Sequence, residues 1–276
     1  AAGVWSTTAN LNTPRYDAGS AGTQTAALAF GGIVPPDTGN TEKWDGSSWT
    51  EVGDLNTARS EVGSAGTTNT AALIIAGAPN QVIVEKWNGT SWTEVGDLNA
   101  GRGLGTGTGT STAALYFGGN TPGPNKFDSN EQWNGTSWTE VGNLNTAKRN
   151  LAGAGTVTAG LAVGGIAAPG VVNESETWNG TAWTEGNNIN TAREGIAGTA
   201  NGTTTAAIVF GGSVSPKGHT ETYDGSSWTE EGDLNTVSSD CSGAGTSSSA
   251  LRIGGTPGTT STEEWSLPQN VKTITD

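Results

Sequence analysis

Hydrophobic positions along this chain fall in short bursts, four to a unit, set between Gly, Asn, Asp and Thr. The first burst of a unit is Gly/Ala-rich, as at Val62 to Thr67. The second reads Thr-Ala-Ala-Leu-x-Phe-Gly-Gly at Thr25 to Gly32, with relatives at Thr70 to Gly77, Thr112 to Gly119, Thr158 to Gly165, Thr205 to Gly212 and Ser248 to Gly255. The third ends at an aromatic residue, and the fourth runs from a second Trp to Asp-Leu-Asn. Bursts this short, bounded by turn formers, predict β-strands, here called a, b, c and d. Between c and d stand Asp45-Gly46, Asn88-Gly89, Asn134-Gly135, Asn179-Gly180 and Asp224-Gly225. Both residues of that dipeptide tolerate positive φ, which makes it the strongest short-range hairpin signal. The Gly pair ending b predicts a bend or a close backbone approach.

Internal repetition decides the fold. Glu42 to Glu51 (EKWDGSSWTE) recurs as Glu85 to Glu94, Glu131 to Glu140, Glu176 to Glu185 and Glu221 to Glu230. The second Trp of each copy stands at 49, 92, 138, 183 and 228, and Trp5 is in phase with them. Strand b and the aromatic of strand c (Trp44, Trp87, Trp133, Trp178, Tyr223, Trp265) each occur six times. Strand d reaches six only if Val4 to Asn12 is counted. The prediction is all-β: one six-bladed propeller of four-stranded blades over residues 1–265. The N-terminal strand 4–12 completes the last blade, and ring closure removes exposed sheet edges. Residues 266–276 fall outside the pattern, as a tail or an extra outer strand.

Composition narrows the function. Net charge is −14 and charged residues make up only 14% of 276. That balance disfavours nucleic acid, whose phosphates call for clustered Lys and Arg, and anionic membranes. No apolar run is long enough for a membrane span, and no basic-then-apolar leader is visible at the start. The absence of Met reads as a processed or excised chain. Cys241 is the single cysteine, so no internal disulfide forms. It aligns with Ala18, Val62, Leu151 and Ile196 and reads as a small core residue. His219 reads as an exposed loop residue, and with no second His or Cys beside it no zinc-type metal site is expected. The eleven Trp all sit at repeat positions. Each aromatic buries about 150–250 Å², so they read as inter-blade core, with sugar stacking as the alternative for some. The sequons at Asn88, Asn134 and Asn179 coincide with hairpin turns, which explain them without a glycan.

A Gly pair, then Glu-x-aromatic, then Trp five or six residues later resembles the kelch repeat over nearly the whole chain. The period near 45 and the Trp in place of the usual Tyr depart from it. WD repeats fit less well, because Trp-Asp occurs only at Trp44-Asp45. The near-identity of the units also resembles kelch-like proteins of marine phages and environmental viruses.

A Glu precedes each first aromatic by two: Glu42, Glu85, Glu131, Glu176, Glu221 and Glu263. A basic residue recurs after Asn-Thr-Ala or its equivalent, at Arg15, Arg59, Arg102, Lys148 and Arg193, with Ser238 at the sixth position. The residues alone admit a repeated buried ion pair. The kelch resemblance implies a second reading, in which these five rim the channel mouth as an incomplete ring facing an anionic ligand. Arg252 replaces an uncharged residue of strand b and is expected to neutralise an acid near the ring closure. The b–c loops vary between blades while the a–b and c–d turns hardly do, and a uniform scaffold with one variable face is what a recognition module shows. The expected function is therefore non-catalytic binding of a glycan or a protein surface, by a monomer without cofactor, in an extracellular, cell-surface or virion setting. The alternatives are a sugar-modifying enzyme resembling the six-bladed sialic-acid mutarotases and a purely structural propeller. The copper site of galactose oxidase, which this pattern also resembles, cannot be assembled from three Tyr, one His and one Cys spread through the chain.

Overall fold

The computed structural model describes residues 2–121, 125–199, 201–215 and 217–268. Those residues form six four-stranded antiparallel sheets. Blade 1 is β2 (Gly19–Thr23), β3 (Ala26–Phe30), β4 (Thr41–Trp44) and β5 (Trp49–Val52). Blade 2 is β6 (Gly63–Thr68), β7 (Ala71–Ile75), β8 (Val84–Trp87) and β9 (Trp92–Glu94). Blade 3 is β10 (Thr106–Gly109), β11 (Ala114–Phe117), β12 (Asn130–Trp133) and β13 (Trp138–Val141). Blade 4 is β14 (Ala152–Thr156), β15 (Ala159–Val163), β16 (Ser175–Trp178) and β17 (Trp183–Glu185). Blade 5 is β18 (Ala197–Gly198), β19 (Ala207–Phe210), β20 (Thr220–Tyr223) and β21 (Trp228–Glu230). Blade 6 takes β22 (Ser242–Thr246), β23 (Ser249–Ile253) and β24 (Thr262–Ser266) from the C-terminal part and β1 (Val4–Thr7) from the N-terminal part.

The ring closes as the repeat count predicts. β1 pairs with β24, Trp5 opposite Trp265 and Val4 opposite Ser266. Strand d is shorter than expected: β1 stops at Thr7, and the residues through Asn12 cross to the next blade. The tail expected at 266–276 begins inside β24, and its residues beyond 268 lie outside the described residues.

The six inner strands pack against one another around the axis, β22 on β2, β2 on β6 and onward back to β22. This is why strand a is built of Gly, Ala and Ser. A Cβ on Gly107 would lie 2.5 Å from the carbonyl oxygen of Ser64 on the neighbouring inner strand, and one on Gly243 would crowd the carbonyl of Gly198 in the same way. The Gly pair after strand b answers a different need. Gly31 and Gly32 have φ of 65° and 96°, and a Cβ on either would sit 2.7 Å from a backbone oxygen of a segment running into an inner strand.

The aromatic core lies between blades. All eleven Trp are no more than 7% exposed, so none is free to stack on a sugar. Within a blade the two Trp face each other, as Trp44 and Trp49 with ring centres 5.3 Å apart. The outer Trp also reaches the preceding blade: the indole N–H of Trp92 donates to the Thr41 hydroxyl at 2.9 Å, and that of Trp5 to Thr220 at 2.9 Å.

Blade 6 is the one blade whose strands are not contiguous in the chain, so its closure is non-covalent. Trp5 fills that seam against Phe210 and Trp265. Trp5→Ala is expected to lower the unfolding free energy by about 3–5 kcal/mol, read as a lower urea midpoint at unchanged slope. A loss below about 1 kcal/mol would show that closure does not depend on this strand.

Candidate binding site at the channel mouth

The segment that carries the chain from strand d of one blade to strand a of the next does two jobs within six residues. The first is to anchor itself. Glu42 on β4 is fully buried, and its two oxygens accept four hydrogen bonds from the arriving segment. Oε2 takes the backbone N–H of Asn12 at 2.7 Å and its side-chain amide at 2.9 Å. Oε1 takes the N–H of Thr13 at 3.1 Å and the Arg15 guanidinium at 2.8 Å. Arg15 also donates to the carbonyls of Gly31 and Asn40, tying down both ends of the b–c loop. The arrangement recurs as Arg59 with Glu85, Arg102 with Glu131, Lys148 with Glu176 and Arg193 with Glu221, at 2.7–3.0 Å.

Arg15, Arg59, Arg102, Lys148 and Arg193 are therefore 0–1% exposed, each committed to a buried carboxylate. They do not rim the mouth for an anionic ligand, because a buried Glu left without its cation would be strongly destabilising. Burial pulls the Arg15, Arg59 and Arg193 guanidinium groups below their ordinary value, and the paired Glu opposes it. In blade 6, where Ser238 supplies no cation, Arg252 reaches across from β23 to Glu263. All six carboxylates thus have a cation, one of them from a different strand.

The second job is to close the mouth. Two residues after each basic position the backbone turns left-handed: Asp17, Glu61, Leu104, Asn150, Gly195 and Asp240 have φ of 52–61°. Their N–H groups donate head to tail around the axis. Asp17 donates to Asp240 at 2.9 Å, Glu61 to Asp17 at 3.0 Å, Leu104 to Glu61 at 2.9 Å, Asn150 to Leu104 at 2.9 Å, Gly195 to Asn150 at 3.0 Å and Asp240 to Gly195 at 2.8 Å. The result is a closed circle of six backbone hydrogen bonds. Below it, Ala18, Val62, Leu151, Ile196 and Cys241 narrow the channel, leaving a cavity of about 120 Å³. No uniform sequence signal marks this ring, because Glu61 and Leu104 stand among the Asp, Asn and Gly that tolerate positive φ.

The ring is identical in backbone and unlike in charge. Asp240, Asp17 and Glu61 are consecutive around it, whereas the opposite arc is Leu104, Asn150 and Gly195. Burial, then the charges of Asp240, Glu61 and Asp37, pushes the Asp17 carboxyl up to about 8. Burial and Asp37 also raise Glu61, against the pull of Arg149.

His219 sits differently from expectation, whereas Cys241 packs against a core cluster. His219 is partly buried, its Nε2 3.8 Å from Glu230, and with Glu230 and Asp233 it brings three ligand-type atoms within 4.8 Å of one another. The two acids are exposed, and among the described residues no other His or Cys joins them. Cys241 is half-buried at the neck of the channel, and burial pushes its thiol up to about 12, far from a thiolate nucleophile. A scan against protein-family models and a search of curated proteins find no match to this chain.

Two outcomes follow. Arg252→Ala is expected to destabilise the fold by about 3–5 kcal/mol by orphaning Glu263. Adding Ser238→Arg, which gives blade 6 the residues that blade 1 carries at both positions, Arg15 and Ala29, is expected to restore most of that loss in urea titrations. For Asp17, the folded-state value lies above the ordinary 3.8, so the native state binds this proton more tightly. Its ionisation penalty is complete above pH 8 and fades as pH falls toward 4. Asp17→Asn, the residue blade 4 carries there, is expected to raise Tm at pH 8.5 and to flatten the rise of Tm on acidification to pH 5. An unchanged slope would refute the assignment.

Proposed function

We propose that the protein is a non-catalytic recognition module of kelch-like type, holding a glycan or protein surface with the face that carries the b–c loops and the channel mouth. A virion or cell-surface setting agrees with the resemblance of its units to viral kelch-like proteins. The observation that carries the reading is where the repeats differ. Core positions repeat from blade to blade, while the six left-handed positions at the mouth are Asp, Glu, Leu, Asn, Gly and Asp. Variation on one face of a rigid frame is the arrangement recognition uses.

Two features favour binding over catalysis. The cations that a mutarotase-like site would draw on are held in buried ion pairs. The central cavity, about 120 Å³, is well below the roughly 300–1,000 Å³ of small-molecule sites. Its carboxylates favour a neutral or basic ligand surface over an anionic one.

The test is a glycan-array and cell-surface screen with labelled protein beside an Asp17→Asn/Glu61→Asn/Asp240→Asn variant. Saturable binding without product, weakened at least about tenfold in the variant, is the expected result. Turnover of any bound sugar would favour the enzyme. Absence of binding by both proteins would leave the purely architectural role.

A further inference from the structure

The rim of the mouth is notched over blade 3. The residue before each left-handed position is Tyr16, Ser60, Arg149, Glu194 or Ser239 in five blades and Gly103 in the sixth case. With no side chain there, a cleft of about 270 Å³ opens beside the channel. Leu104, Ala78, Pro79, Asn80 and Asn120 line it, and Glu61 and Arg149 flank it from blades 2 and 4.

Those two charges have no ion-pair partner at contact distance among the described residues, in contrast to the six buried cations, each paired with a buried glutamate. Arg149 Nε is shielded from solvent and has no hydrogen-bond acceptor, an arrangement that is unfavourable until an acceptor arrives. Arg149 is also the only basic residue lining either the channel mouth or the cleft among the described residues. Burial and Asp37 raise the Glu61 carboxyl while Arg149 pulls it down without reaching contact distance.

A carboxylate and a guanidinium that share one small cleft without meeting suit a ligand carrying both opposite charges. The planar fork of Arg matches a carboxylate, and Glu accepts from an ammonium. Leu104 and Pro79 offer apolar surface between them, and the volume admits a ligand below drug size. We propose that this cleft binds a small zwitterion of the free α-amino acid class, its ammonium on Glu61, its carboxylate on Arg149 and its side chain against Leu104 and Pro79. The choice of face rests on the recognition reading above, but the ligand does not involve a glycan or a cell.

The repeat supplies its own controls. Arg149→Ser installs the residue of blades 2 and 6, Glu61→Asn that of blade 4, and Gly103→Tyr that of blade 1. A Cβ on Gly103 would meet the end of the Glu61 side chain at 3.0 Å and the Ala78 backbone nitrogen at 3.4 Å, so the Tyr variant fills the cleft with little demand on the backbone. The experiment is calorimetric titration of the intact protein with each of the common free amino acids, together with their N-acetyl and carboxamide derivatives. At least one free amino acid is expected to bind saturably in the micromolar-to-millimolar range, roughly tenfold or more tighter than either blocked form. Arg149→Ser and Glu61→Asn, checked for an unchanged circular dichroism spectrum, are each expected to weaken it by about tenfold or more, and Gly103→Tyr to abolish it. No saturable heat with any free amino acid, equal binding of blocked and free forms, or undiminished binding by folded Arg149→Ser would overturn the proposal. If the titration fails while the glycan and cell screen succeeds, only the cleft assignment falls; failure of both removes the recognition reading as well.

Discussion

A carboxylate buried at the seam between blades holds this molecule together in a directional way. The six sheets share no backbone ladder with one another, so neighbouring blades are otherwise joined mainly by packing. Packing alone tolerates sliding; four hydrogen bonds from one arriving segment to one Glu do not. The price of burying such a charge is met by placing a cation and an amide on it from that same segment. The cation then extends to the b–c loop, so one ion pair fixes the seam, the crossing chain and the base of the variable loop together.

That anchoring explains how the mouth supports unlike side chains on one backbone. Five of the six ring members are not Gly, and their φ of 52–56° is unfavourable, on the order of 1–3 kcal/mol each. The conformation persists because the segment is pinned two residues earlier and because each N–H finds the carbonyl of the preceding blade. Ring closure satisfies every backbone donor in the circle, so the circle itself does not depend on which side chain stands at each position.

The blades were legible because their signals are local. Asn-Gly turns, the Gly pair and the spacing of Trp each act within a few residues, and the count of strands placed Val4 to Asn12 in the last blade, where Val4 to Thr7 forms the strand. The ion pairs were legible as one of two readings of Arg15 and its equivalents, because the period of a strand puts Glu42 and Trp44 on one side, but the direction of the Arg side chain depends on the path of the crossing segment. The mouth was not legible. Its left-handed residues, Asp17 to Asp240, carry no common signature, and nothing in Leu104 announces positive φ. The partner of Arg252 was hidden for a related reason: it replaces Ser238 from another strand, a substitution that only the register of β23 against β24 reveals.

The exchange of Ser238 for Arg252 also bears on what the mouth carboxylates are for. Where the fold needs a charge, its loss at one position is matched by a gain at another, and the buried set remains six for six. At the mouth the charges are not matched blade for blade: Leu104, Asn150 and Gly195 stand where Asp and Glu stand on the opposite arc, and the acid on that side, Glu194, accepts from the Asn150 amide. The acids that are present oppose one another: Asp240 and Glu61 both push the Asp17 proton toward retention. That repulsion weakens folding at Asp17, while Asp240 also accepts hydrogen bonds from the Ser239 and Thr256 hydroxyls. Departures from local consistency that folding does not reward mark the places where a protein does something else, and here they fall on the one face where the blades differ.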